Sequence, residues 1–171
     1  KLIGGHTIEA RSDSPQPSSF GIQMALSING CLSSGVRPWT KGGMQLGDEL
    51  LISRGIGSGV LFAASRVGQG CPKDLDSAMK ILATSQHDAI SSLLKVEAEN
   101  FPIPAVHACT DITGFGLLGH LEEMLIACNS LRDKSKKPLL KLKLQADLIP
   151  SFDGALDLLE SGFFSTLAPH N

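Results

Sequence analysis

Apolar positions along the chain mark short elements of two kinds. Gly21 to Ile28 alternates weakly and predicts a strand, and Asp48 to Arg54 predicts a second, opened by a turn at Gln45-Leu46-Gly47. Val60 to Val67 predicts a short helix that breaks at Gly68 to Pro72. Between Asp74 and Glu99, apolar residues at Ala78, Ile81, Leu82, Ala89, Leu93, Leu94 and Val96 predict one or two amphipathic helices, with a possible break at Ser85 to Asp88. Ile103 to Cys109 predicts a buried strand. Leu117 to Cys128 predicts a helix whose stripe is Leu117, Leu121, Met124 and Cys128. A charged loop over Asn129 to Pro138, a strand of period two over Leu139 to Leu144, and a last helix over Asp153 to Glu160 complete the reading. Strands and helices mix without strict alternation, so the expected fold class is α+β, a mixed β-sheet packed with α-helices.

Composition narrows the function. The 171 residues carry 15 Lys+Arg against 17 Asp+Glu, a formal net charge of -2, and 42% are hydrophobic. That is globular usage, and disorder is not expected. With no net positive field, 5% aromatics and no Tyr, nucleic acid is not an expected partner. No apolar run approaches the ~20 residues of a membrane helix, so no membrane partner is expected either. Ile8 to Phe20, with three Ser and two Pro, predicts an exposed connector. The chain begins at Lys1 without Met and carries no targeting pattern, which suggests a piece of a longer protein.

The four cysteines, Cys31, Cys71, Cys109 and Cys128, have neither zinc-ligand spacing nor the density of a disulfide scaffold. Reduced thiols in a cytoplasmic setting are expected, with Cys109 and Cys128 as small buried hydrophobes.

Three glycine clusters bear on chemistry. Gly55-x-Gly57-x-Gly59 follows a predicted strand but has Val60 at its sixth position, which favours a tight strand-to-helix turn over a dinucleotide loop. Gly30 to Gly35 has P-loop spacing, but Val36-Arg37 replaces the Lys-Ser/Thr pair. The third cluster, Thr110-Asp111-Ile112-Thr113-Gly114-Phe115-Gly116-Leu117-Leu118-Gly119-His120, sets a carboxylate after a buried strand and two glycines before a helix. Free N–H groups at that helix start favour an anion, which Mg²⁺ could bridge to Asp111. Alternatively, Asp111 or Thr113 simply caps the helix.

The run from Thr110 to Met124 closely resembles the signature of the selenophosphate synthetase (selenide, water dikinase) family, in the ATP-dependent superfamily that includes aminoimidazole ribotide synthetase. His107-Ala108 and Glu123-Met124 extend the match. Gly4-Gly5-His6-Thr7 is similar to the GG[HQ][TS] element that ends the family's N-terminal domain, and Leu51 to Gly59 is similar to its strand-Lys-Pro-Leu-Gly-x-Gly turn. Arg54-Gly55 stand where Lys-Pro is usual.

The resemblance implies phosphoryl transfer in which ATP, selenide and water give selenophosphate, AMP and phosphate, with Mg²⁺. It implies Asp111 as a magnesium ligand, and Gly4, Gly5, His6, Thr7, Gly114 and Gly116 as nucleotide-phosphate contacts. No catalytic residue is expected in this chain: the family's Cys or selenocysteine nucleophile, adjacent lysine and other acidic ligands precede the GG[HQ]T element. Residues 1-20 then read as the remnant of an N-terminal ATP-binding domain plus a connector. Residues 21-171 read as a C-terminal α+β domain, incomplete at its end. The fragment alone is expected to be inactive, and the full-length form a cytoplasmic homodimer. Another superfamily member (hydrogenase maturation or purine synthesis) and a non-catalytic, dimer-supporting module are the alternatives. His6 contacts phosphate or caps a turn, and His120 is expected to be a structural hydrogen-bonder at the helix rim.

Overall fold

In a computed structural model, the structure describes residues 7–9, 22–24, 30–32, 35–100 and 102–165. The chain divides into two compact units, residues 1–38 and 39–171. In the first, β1 (Thr7–Glu9) pairs antiparallel with β2 (Ile22–Met24), with Thr7 opposite Met24 and Glu9 opposite Ile22. The predicted strand at 21–28 is thus present in its described part. The expected connector loses Ile8 and Glu9 to β1.

The second unit contains α1 (Ser58–Arg66), α2 (Pro72–Ala83), α3 (His87–Glu99), α4 (Gly116–Lys134) and α5 (Ala155–Glu160), with a 3₁₀ turn at Ala146–Leu148. The long amphipathic stretch therefore splits in two. Thr84 is extended, and Arg54 donates from its guanidinium to the carbonyls of Leu82 and Thr84, closing the end of α2. Helix α4 runs six residues beyond Cys128, into what the charge run predicts as loop. Its last turn carries Arg132 and Lys134, favourable at the negative end of the helix dipole. The helix ends at Lys134, and the turn that follows, with Lys136 at φ 53°, leads to Pro138.

The expected mixed sheet is not formed as a ladder among the described residues. Segments 48–54, 103–109 and 139–144 carry no strand hydrogen-bond pattern, and beyond β1–β2 there is one parallel bridge, Ile56 to Ser151. These segments nonetheless make a layer beneath α4. Met44, Leu117, Leu121, Met124, Cys128 and Leu140 form one buried cluster, against which Ile52, Ile56, Ala108, Leu142 and Ile149 pack. The period-two reading of 139–144 survives in its burial: Leu140 is buried and Leu142 half-buried, while Lys141 and Lys143 are exposed. What replaces a ladder bond is a side chain. Asn129 on α4 accepts from the Leu140 N–H at 2.7 Å and donates to its carbonyl at 3.1 Å. A second, smaller cluster joins Leu61, Ala78, Phe152 and Ala155 across α1, α2 and α5.

Close backbone approach explains two glycine positions. A Cβ on Gly43 would lie 1.9 Å from the His107 carbonyl oxygen, so segments 40–43 and 107–109 can lie together only without one. Gly57, at φ 101°, starts α1 against the Ala155 side chain. The 55–59 cluster is therefore a packed turn: Gly55 meets the Ser151–Phe152 backbone, and Ile56 exchanges hydrogen bonds with Pro150 and Phe152.

Candidate functional site

The site is built on the loop from Cys109 to Phe115 and the start of α4. The loop is held upstream by the Cys109 N–H, which donates to the Thr40 carbonyl at 3.0 Å. Downstream, the Gly116 N–H donates to the Thr113 carbonyl at 2.9 Å, and Gly116 adopts φ 68°, a conformation glycine takes without strain. No side chain caps α4, so the capping role expected as an alternative for Asp111 or Thr113 is not taken up. The first turn of this 19-residue helix therefore has no side-chain partner for its amides, and the positive end of the helix dipole lies there.

Asp111 lies exposed on this loop, and among the described residues its carboxylate makes no hydrogen bond or ion pair. One hard, unpartnered carboxylate beside a helix start that no side chain caps suits a divalent cation shared with a phosphate. It supplies one ligand only: among the described residues no three His, Cys, Asp or Glu side chains come together as a metal site. Gly114 and Gly116 flank Phe115 at the helix start, where backbone can approach a ligand closely. The surface around Asp111 is open. Two depressions among the described residues, of about 240 and 130 Å³, are lined by residues around α5 and α2, not by this loop.

Thr113, itself exposed, bonds to the buried His120. Its N–H donates to His120 Nε2 at 3.0 Å and its hydroxyl lies 3.0 Å from the same nitrogen. His120 is buried at 5% exposure, with the Phe115 ring set edge-on to it at 6.1 Å. The expected hydrogen-bonding role of His120 is met, but in the core rather than at the rim. Its Nδ1 lies 3.4 Å from Glu123 Oε2, too poorly aligned to form a hydrogen bond, and has no other partner. Lys41 binds that same Glu123 oxygen at 2.6 Å; this bond and the ammonium charge hold the Glu123 carboxyl below its ordinary range. Sequence reasoning missed Lys41 and Thr40, because nothing local ties residues 40–41 to residues 109–123.

Nearby, His107 Nδ1 bonds Asp48 Oδ1 at 2.8 Å, and the other Asp48 oxygen accepts from the Gln45 N–H. All four cysteines are free. Cys128 is buried at 2% exposure, as expected, whereas Cys109 is exposed; its alternation with Ala108, which packs on the core, points it the other way. Arg54, standing where the family's lysine is usual, is engaged in closing α2. Of the remaining predicted contacts, Thr7 lies in β1, and Gly4, Gly5 and His6 lie outside the described residues.

A long helix packs over extended segments and opens at an uncapped, glycine-flanked amino end beside an exposed carboxylate. The chain belongs to the family described as AIR synthase related protein, C-terminal domain, whose profile matches residues 45–150. Among curated proteins it is similar to "Selenide, water dikinase" of Geobacter metallireducens, at 31% identity over 163 residues, covering 94% of this chain and 39% of that protein. The protein of the same name from Rhizobium meliloti is 32% identical over 173 residues, covering 99% of this chain and 41% of its own length. That from Treponema denticola is 37% identical over 123 residues, covering 72% and 30%. The chain thus spans about two fifths of the length of the first two of these relatives. No solved structure matches it. No described helix is long and apolar enough to cross a membrane.

Proposed function

We propose that this chain is the C-terminal part of an ATP-dependent selenophosphate synthetase, which converts selenide, ATP and water to selenophosphate, AMP and phosphate. The observation that carries this reading is Asp111: an exposed carboxylate without a partner among the described residues, beside the uncapped start of α4. The relatives' shared name agrees with it. Asp111 is one ligand of Mg²⁺, and Gly114 and Gly116 let the backbone at the start of α4 come close to the nucleotide phosphates. Gly4, Gly5, His6 and Thr7 contribute from a phosphate element at the end of the preceding domain. Bound Mg²⁺ supplies charge neutralisation of the polyphosphate, and the protein's own work is positioning. The nucleophile and the other acidic ligands belong to the N-terminal domain, so residues 1–171 alone are inactive. The working form is a cytoplasmic homodimer.

The test is phosphorus NMR of the full-length protein with ATP, Mg²⁺ and selenide. Selenophosphate and AMP are expected, with Asp111→Asn reducing the rate at least about a hundredfold while leaving the fold unchanged, since electrostatic groups of this kind contribute ~10²–10³. Mg²⁺-ATP binding that is indifferent to Asp111→Asn, without turnover, would instead favour a non-catalytic module.

A further inference from the structure

We propose that His120 is a positioning residue for Asp111, acting through Thr113 and set in its working tautomer by the Lys41–Glu123 pair. A ring nitrogen that accepts from a backbone N–H carries no proton, so the Thr113 N–H bond at 3.0 Å assigns a neutral imidazole with its proton on Nδ1. That proton lies on the side of Glu123, whose oxygen is 3.4 Å away and is fixed there by Lys41 at 2.6 Å. The negative charge of that carboxylate favours a proton on the Nδ1 side and leaves the Nε2 lone pair for Thr113. The loop is thereby held at both ends. Thr40 takes the Cys109 N–H upstream, and Lys41, the next residue, anchors the chain of contacts that reaches Thr113 downstream. Asp111 sits between these anchors with no contact of its own among the described residues to fix it. His120 is buried at 5% exposure and touches neither open surface nor substrate, so its effect passes through the loop backbone.

The anchoring follows from geometry alone, whereas its consequence for Mg²⁺ rests on the function proposed above. The test therefore reads both in the full-length protein. Nitrogen NMR of the unmodified protein is expected to show the Nδ1–H tautomer at His120; the Nε2–H tautomer would overturn the proposal without any variant. His120→Leu is expected to speed amide exchange at Thr113 about tenfold or more, with the amides near Cys128 little changed, as local opening requires. It is also expected to raise the Mg²⁺ half-saturation of turnover about tenfold, in the 10–100-fold range for lost outer-shell partners. His120→Gln, whose amide oxygen can accept from Thr113, restores both to within about threefold of the wild type. Equal loss in the Leu and Gln variants, or exchange that rises evenly along α4, would assign His120 to packing alone. If no selenophosphate forms, the tautomer and the exchange still decide the anchoring, so the two failures are separable.

Discussion

Asn129→Ala removes both hydrogen bonds that hold segment 139–144 to α4. Leu140 is buried, so its N–H and carbonyl lose their partner where water does not readily replace it. A net contribution of about 1 kcal/mol per bond gives ~2 kcal/mol, and the desolvated Leu140 groups add up to ~1 kcal/mol more. Alanine is the better helix former and returns roughly 0.5 kcal/mol within α4. The expected loss is therefore about 2 kcal/mol, or a fall in Tm of roughly 4–8 °C for a chain of this size. Urea unfolding followed by circular dichroism measures it, provided the m-value is unchanged. Asn129→Asp separates the bonds: it keeps the acceptor for the Leu140 N–H but sets a carboxylate against the carbonyl, so it should be at least as damaging as alanine. A loss below about 0.5 kcal/mol for alanine, the range of inert surface changes, would refute the idea that this side chain stands in for a strand partner.

Three further outcomes follow from the same contacts. Gly43→Ala forces segments 40–43 and 107–109 apart and should cost about 1–3 kcal/mol by thermal unfolding, more than Gly47→Ala, where a Cβ meets nothing within 4 Å and only the backbone conformation is strained. Arg54→Lys gives up the two-carbonyl closure of α2 and should lose about 0.5–1.5 kcal/mol, read by urea unfolding; an unchanged midpoint would contradict that closure. The Glu123 carboxyl titrates below its ordinary value of 4.5, so the stability it confers is fully present above that pH and is lost as pH falls through the folded value. Stability measured between about pH 6 and about pH 3 should therefore drop less steeply in Lys41→Met than in the wild type, and parallel curves would contradict the pairing.

The sequence by itself determined the elements with a strong period and the adjacency of a carboxylate, two glycines and a helix start in the 110–120 cluster. The stripe Leu117, Leu121, Met124 and Cys128 is buried as its 3.6-residue spacing requires, and the helices at 58–66 and 155–160 fall where apolar runs meet Gly breaks. The exposed Asp111 and the glycines at the start of α4 were legible as a local arrangement because a carboxylate, flexible backbone and a helix start are adjacent in the chain. Tertiary structure decided the rest. Helix α4 outruns its charge-run boundary because its solvent face tolerates charge while Asn129 holds the layer beneath. Segments predicted as strands from apolar content take their place by packing under α4 rather than by ladder bonds, since hydrophobic burial is non-directional and does not by itself fix a register. The convergence of Thr40 and Lys41 on the loop around Asp111 depends on contacts across 69 to 82 residues of sequence, which only the folded chain brings together.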